Sequence, residues 1–225
     1  MIIKGLELFT DKIDELKKFY TQTLELKLIK EDISSFTVNC GETLLTFSIS
    51  PELRKPFYHF AFNIPCNKFS EAKVRISAKQ YLISLNGEDE FDFRSWNAHS
   101  IYFYDPAGNI VELIARHNLN NSSSEEFSGK SILSVSEIGL PVCNVKEFYD
   151  EISRKFNIPI FSGDKKEFCA AGNDEGLFII VNKGRKWFPD CGAAEIFPVV
   201  INILSEKVKE IEFENLPYKI ISSLK

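Results

Sequence analysis

The stretch that decides the fold is Trp96–Arg116, which reads WNAHSIYFYDPAGNIVELIAR. It holds two apolar runs, Ser100–Tyr104 and Ile110–Ala115, whose content of Ile, Val, Phe and Tyr predicts two β-strands. Residues 105–109 (DPAGN) carry Asp, Pro and Gly at positions that a type I turn favours, so we predict an antiparallel hairpin. The second strand contains Glu112 between two apolar neighbours. Burial of that carboxylate would require a cation, a hydrogen-bond donor or a metal ion.

The composition of the chain narrows the classes of partner. At 225 residues, the chain suits one large domain or two small ones. Its net charge of −5 comes from mixed signs without a basic stripe, so we expect no nucleic-acid partner. The N-terminus lacks the apolar core of a signal peptide, and no run reaches membrane-spanning length. We therefore expect no membrane partner. The five dispersed cysteines form no CxxC pair, which indicates reduced thiols in a cytoplasmic protein.

The strand-helix-strand pattern that ends in the hairpin occurs more than once. A first copy begins near Leu6 and a second at residues 57–64 (FYHFAFNI), about fifty residues later, which indicates an internal repeat. A third copy begins at residues 135–140 (VSEIGL), and residues 197–225 look like a truncated fourth. The Asn- and Ser-rich residues 118–130 have the composition of a linker. We therefore predict an α+β fold of repeated βαβββ units with a truncated last unit.

This linker divides the chain into residues 1–117, with two units, and residues 131–225, a degenerate second domain. At the start of the second unit, strand alternation places His59 on the face opposite the aromatic residues Tyr58 and Phe60. A single histidine on a strand is more often a hydrogen-bonded core or surface residue than a ligand.

Two motifs, HFAF at the start of the second unit and YFYDPAGNIVEL at its end, resemble the vicinal oxygen chelate superfamily. That superfamily includes glyoxalase I, the extradiol ring-cleaving dioxygenases and the bleomycin- and fosfomycin-resistance proteins. The resemblance covers residues 1–116 and is weaker over residues 131–204. It implies glyoxalase-like domains in which paired units curl their mixed sheets into a cup, with the helices outside. A metal ion would lie in the cup, held by residues on the first and last strands of the paired units.

The ligand set that the resemblance implies depends on which units pair. His59 and Glu112 occupy the two ligand positions of the second unit in either case. If units two and three share a cup, Glu137 completes a set of one histidine and two carboxylates. If units one and two share it, the matching first-strand residue is Gly5, and Glu7 is a substitute one pleat along.

Other residues are candidate substrate contacts in such a cup. Arg94, Trp96 and His99 lie just before or at the start of the hairpin, and Arg185 lies in a segment where two cations neighbour two aromatic residues. Each of these residues also has a purely structural interpretation. An aromatic residue beside a strand, such as Trp96, more often packs into a core or its rim. His99 could simply begin a strand, and Arg185 could lie in a solvated loop. We keep these four residues and Glu7 as candidate substrate-binding residues.

Two functional classes follow. In the first, the resemblance implies a metal-dependent lyase, isomerase or dioxygenase, with Glu112 as the catalytic carboxylate and a divalent ion (Fe, Mn, Ni or Zn) that chelates adjacent substrate oxygens. The superfamily's dioxygenases use two histidines and one glutamate, and the second histidine is missing here, which counts against ring cleavage. The second class is a metal-free small-molecule or antibiotic-binding protein. It is favoured by the first unit, where the resemblance places Gly5 at the first-strand ligand position and, approximately, Thr46 at the last-strand one. Either class has a small-molecule partner, and a homodimer is compatible with both.

Overall fold

The computed structural model describes residues 1–50, 52–53, 55–189 and 191–224, which fold into four consecutive units. The first unit consists of β1 (Ile3–Thr10), α1 (Ile13–Lys18, continued by a π-helical turn Phe19–Thr23), β2 (Lys27–Glu31), β3 (Ser35–Cys40) and β4 (Thr43–Ile49). The second consists of β5 (His59–Ile64), α2 (Phe69–Ser77), β6 (Phe91–Phe93), β7 (Ala98–Tyr104) and β8 (Ile110–Arg116).

The third and fourth units follow a connecting segment. The third consists of β9 (Ser134–Val142), α3 (Val145–Phe156), β10 (Ile160–Gly163), β11 (Phe168–Asn173) and β12 (Gly176–Asn182). The fourth, within the described residues, consists of β13 (Val199–Ser205), β14 (Lys209–Phe213) and β15 (Leu216–Leu224). The predicted α+β fold of repeated βαβββ units with a truncated last unit is confirmed. Among the helices of the described ranges, none combines the length and the apolar character needed to cross a membrane.

The units pair in an order that the sequence left open. One sheet has the strand order β14-β15-β13-β1-β4-β3-β2, and the other has the order β10-β11-β12-β9-β5-β8-β7-β6. Because β5 pairs antiparallel with β9, units two and three share one curled mixed sheet, whereas units one and four share the other through β1 and β13. The predicted linker, residues 118–130, therefore connects two strands of one sheet.

The connecting segment is held against the second unit. The side chain of Asn121 accepts a hydrogen bond from the backbone of Cys66 at 2.9 Å, and the backbone N–H of Phe127 donates to Glu71 at 3.0 Å. The Phe127 side chain is buried. Its apolar anchor and these bonds fix part of a segment whose composition alone predicts a loose linker.

The hairpin at residues 98–116 forms as predicted. Gly108 adopts a positive φ of 88° in the turn, and Asp105 accepts hydrogen bonds from the backbone of Ala107 at 2.9 Å and of Asn109 at 3.0 Å. In the resulting register, Tyr102 lies opposite Glu112. The turn therefore determines which residue of β7 meets the buried carboxylate of β8.

Successive side chains along the central strands point alternately to the core on one face of the sheet and to the cup on the other. Val111, Leu113 and Ala115 of β8 join one continuous core with side chains of the helices and of both sheets. The alternate residues of β8, including Glu112, face the opposite side of the sheet, where small separate clusters form. Since β5 and β8 are buried throughout, their polar residues on this concave side lie in a largely dry environment.

Candidate metal centre

Three side chains that could ligate a metal ion converge on the concave face of the sheet shared by units two and three. His59, Glu112 and Glu137 each offer one ligand atom, and these atoms lie within 4.8 Å of one another. The strand register produces this meeting, because Ala61 of β5 pairs with Glu112 on one side and with Glu137 on the other. The small side chain of Ala61 leaves room between the two carboxylates. The three residues are only 6%, 2% and 3% exposed.

The neutral form of His59 directs a lone pair into the site. Its Nδ1 lies 3.3 Å from the carbonyl oxygen of Ile110, which can only accept, so Nδ1 carries the proton. Nε2 is then an acceptor and faces Oε2 of Glu112 at 3.6 Å. Burial lowers the pKa of His59 to about 4, so the ring is neutral at pH 7. Two acceptors at this separation require a proton or a cation between them.

The environment of Glu112 disfavours an isolated negative charge. Burial and the neighbouring charge of Glu137 raise the pKa of Glu112, and hydrogen bonds from Ser100 and Tyr102 only partly oppose this. The Ser100 hydroxyl donates to Oε1 at 2.5 Å, which leaves Oε2 facing His59. A bound cation would compensate the cost that burial imposes on this carboxylate.

Arg116 supplies the counter-charge for Glu137. Its side chain is fully buried, its Nη2 donates to Oε1 of Glu137, and its Nε donates to the Ser136 hydroxyl at 3.2 Å. Burial raises the pKa of Glu137, and the guanidinium acts in the opposite direction. The guanidinium also lies over the ring of Trp96, 5.4 Å from its centroid. Nη1 is 3.8 Å from Asp174, without a hydrogen-bond partner among the described residues.

A cavity of about 220 Å³ opens above these residues. Its walls are mainly aromatic and consist of Phe93, Trp96, Tyr102, Phe168, Ile179, Arg185, Trp187 and Phe188. Trp187 covers the site, with its ring centroid 5.0 Å from that of His59. It packs on Gly139, where an added Cβ would lie 2.6 Å from Cη2 of Trp187. Gly139 is therefore required for this cover.

The fourth ligand position of the two paired units is apolar. Ile179 of β12 pairs with Gly139 of β9 in the same way that Glu112 of β8 pairs with Ala61 of β5. Ile179 thus occupies, in unit three, the position that corresponds to Glu112 in unit two. The side chains that converge are one imidazole and two carboxylates, the set that the family resemblance implies for a cup formed by units two and three.

The candidate substrate contacts are divided between the cavity and other surfaces. Trp96 and Arg185 line the cavity. Glu7 lies on β1 in the other sheet, where it accepts a hydrogen bond from Ser48 at 2.6 Å. It is distant from the site because unit one pairs with unit four rather than with unit two.

Arg94 and His99 also lie outside the cavity. Arg94 has a 92% exposed side chain and forms an ion pair with Asp92 at 3.0 Å. His99 packs against Phe69 of α2, with 5.5 Å between ring centroids, on the helix side of the sheet. The reason is alternation, because Tyr102 is on the cup side and His99 is an odd number of residues away.

Several residues of the site were not predicted. Arg116 lies four residues after Glu112 on one strand, so alternation was the signal that places both on the same face. The hairpin register was the signal for Tyr102, which pairs directly with Glu112. Trp187 comes from the long connection between β12 and β13, and its position over His59 follows from no local pattern.

No protein-family model and no curated protein sequence matches this chain. Among solved structures, a candidate dioxygenase from Bacillus subtilis superposes with a TM-score of 0.63, at 14% identity, over 99% of this chain and 85% of that one. A point mutant of glyoxalase I from Zea mays superposes with a TM-score of 0.56, at 11% identity, over 98% of this chain and 92% of that one.

The fold and the site together define a protein of paired βαβββ units whose cup holds three buried side chains that could ligate a metal ion. The chain has the fold of the vicinal oxygen chelate superfamily. The resemblance that HFAF and YFYDPAGNIVEL indicated is confirmed at the level of the fold.

Proposed function

We propose that this protein is a divalent-metal-dependent enzyme that binds a small oxygenated substrate through two of its oxygens. His59, Glu112 and Glu137 would hold the ion. The observation that carries the proposal is the approach of their ligand atoms to within 4.8 Å in a buried site. An imidazole lone pair and two carboxylates are a donor set that suits Fe(II), Mn(II), Ni(II) or Zn(II).

The ion, when bound, supplies Lewis acidity to the chelated substrate oxygens. The Nε2 lone pair of His59 stays directed into the site because Nδ1 donates a hydrogen bond to the backbone carbonyl of Ile110. Glu112 is the candidate for proton transfer, since its carboxylate lines the cavity in which the chelated substrate would lie. The Tyr102 hydroxyl donates its one proton to Glu112, so its oxygen is left as an acceptor for a substrate hydroxyl. These roles, with a single histidine, favour isomerase or lyase chemistry over ring cleavage.

The alternative is a metal-free binding protein for small molecules or antibiotics. It is favoured by the apolar Ile179 at the fourth ligand position and by the aromatic walls of the cavity. In that case His59 and Glu112 would share a proton rather than an ion, and the cavity would bind its ligand by apolar contact.

Metal binding by the purified protein separates these alternatives. The protein would be stripped with a chelator and titrated with Zn²⁺ and Mn²⁺ by calorimetry. Glu112→Gln keeps the shape and removes the charge, so we expect ion affinity to fall by at least about tenfold. Glu151→Gln, on the exposed side of α3, is the matched control and should bind as the unmodified chain does. Absence of ion binding by the unmodified chain would refute the enzyme proposal in favour of the alternative.

Partners and location complete the proposal. We infer a small-molecule substrate as the principal partner and a cytoplasmic location. None of the five cysteines, all within the described residues, is in a disulfide, which supports a reducing compartment. A homodimer is compatible with the proposal, but the site does not need one, since both units that line it belong to one chain.

A further inference from the structure

The cavity walls contain information about the ligand beyond its chelating oxygens. Resting on the function proposed above, we propose that the ligand is a small aromatic oxyanion with a single ring. Its chelating oxygens would lie at His59, Glu112 and Glu137, its ring between the aromatic walls, and a second acid group, a carboxylate, at Arg185.

The size of the cavity limits the ligand to about one ring. Its volume of about 220 Å³ is below the roughly 300–1,000 Å³ of sites for drug-sized molecules. A benzene ring with two short substituents fits such a volume, whereas a peptide conjugate does not. A larger ligand would need Trp187 to move away from Gly139, on which it is closely packed.

The shape and chemistry of the walls favour a flat ring. Phe93 and Phe188 meet edge to face, 5.5 Å apart at an interplanar angle of 67°. Tyr102 and Phe188 do the same at 5.7 Å and 72°. Rings held at steep angles to one another present both edges and faces to a guest, and aromatic guests gain from both. An aliphatic ring of equal size would bury similar area without this gain.

Arg185 provides the site for the second acid group. It is exposed and lines the cavity, and its guanidinium lies 5.4 Å from the ring centroid of Phe168. Stacking on an aromatic ring orients the planar guanidinium and leaves its edge for a carboxylate, which it can bind through two hydrogen bonds. The three ligating residues line the same cavity. A single-ring ligand that carries an acid group in addition to its chelating oxygens therefore matches the residues that line this cavity.

The protein contains its own reporter for this proposal. The chain has two tryptophans, Trp96 and Trp187, and both line the cavity. Intrinsic tryptophan fluorescence therefore reports on this cavity. We would titrate the Zn²⁺-loaded protein with 4-carboxybenzohydroxamate, with benzohydroxamate, which lacks the carboxylate, and with trans-4-carboxycyclohexane hydroxamate, which lacks the aromatic ring.

The first probe should bind tightest. We expect it to bind about fivefold tighter than the cyclohexane analogue, from the aromatic contacts, and about threefold to tenfold tighter than benzohydroxamate, from the exposed ion pair. Arg185→Gln should remove the second preference and leave the affinity for benzohydroxamate unchanged. Lys183→Gln, an exposed cation close by in the chain, is the matched control and should keep both preferences.

Equal binding of the cyclohexane analogue, or an equal loss of all probes in Arg185→Gln, would overturn this inference while leaving the metal site intact. Failure of the proposed function has a different signature, namely that the protein binds no Zn²⁺. In that case terephthalate and cyclohexane-1,4-dicarboxylate, titrated on the ion-free protein, test the preference for the ring, and Arg185→Gln tests the acid group.

Discussion

Replacement of the buried Arg116 by Met should destabilise the ion-free protein strongly and in a pH-dependent way. The side chain is fully buried and is hydrogen-bonded to Glu137, so its loss leaves a buried carboxylate without its counter-charge. Breaking a buried pair in this way costs about 3–5 kcal/mol. The cost has a ceiling, because Glu137 can take up a proton instead. Protonating an ordinary glutamate at pH 7 costs about 3–4 kcal/mol, so we expect a loss of about 3 kcal/mol.

The sign of the pH dependence follows from the same argument. In Arg116→Met, Glu137 is protonated in the folded state at pH 7. In the unfolded state Glu137 has the pKa of an ordinary glutamate and is therefore ionised at this pH. The loss of stability relative to the unmodified chain should therefore shrink as the pH falls, by up to about 1.4 kcal/mol per unit. Chemical denaturation in the presence of a chelator, at pH 7 and at pH 5.5, measures this change directly.

Two further variants make the test specific. The double variant Arg116→Met with Glu137→Gln removes both charges and should recover about 2 kcal/mol of the loss. Arg154→Met, on the exposed side of α3, should change stability by less than about 0.5 kcal/mol. A cost below about 1 kcal/mol at pH 7, or a double variant as unstable as Arg116→Met, would show that Arg116 does not neutralise Glu137.

Two other changes test the cover of the site and the hairpin turn. Gly139→Ala should displace Trp187, at a cost of about 1–3 kcal/mol and with a red-shifted tryptophan emission. Gly192→Ala is the control, because its Cβ would lie 3.7 Å from the nearest side-chain atom, and it should change neither stability nor tryptophan emission. Unchanged emission in Gly139→Ala would contradict the packing of Trp187 on Gly139. Burial raises the pKa of Asp105 to about 6. The stability that the protonated Asp105 contributes to the folded state is therefore present at low pH and is lost as the pH rises through that value. In Asp105→Asn, the free energy of unfolding should fall less over this pH range than in the unmodified chain, by up to about 3 kcal/mol. A pH–stability profile parallel to that of the unmodified chain would refute the assignment.

Local chemistry in the sequence was sufficient to predict the hairpin and to single out Glu112 and His59, two of the three candidate ligands. The turn at residues 105–109 needs only its own Asp, Pro and Gly, and the flanking strands need only their β-forming side chains. Alternation then separates His59 from its aromatic neighbours because successive side chains point to opposite faces of a strand. The same rule would have placed Arg116 with Glu112, and it explains why His99 faces α2.

The tertiary structure alone decided which units pair and therefore which site exists. Either pairing of βαβββ units satisfies the local periodicity, and the choice depends on how the apolar faces of all four units fit into one core. Pairing of β5 with β9 brings Glu137 to His59 and Glu112, and it leaves Glu7 in the other sheet. Trp187 likewise reaches His59 only through contacts between residues that are distant in sequence. Such long-range contacts depend on side-chain volume and strand register across the whole molecule, which no local pattern encodes.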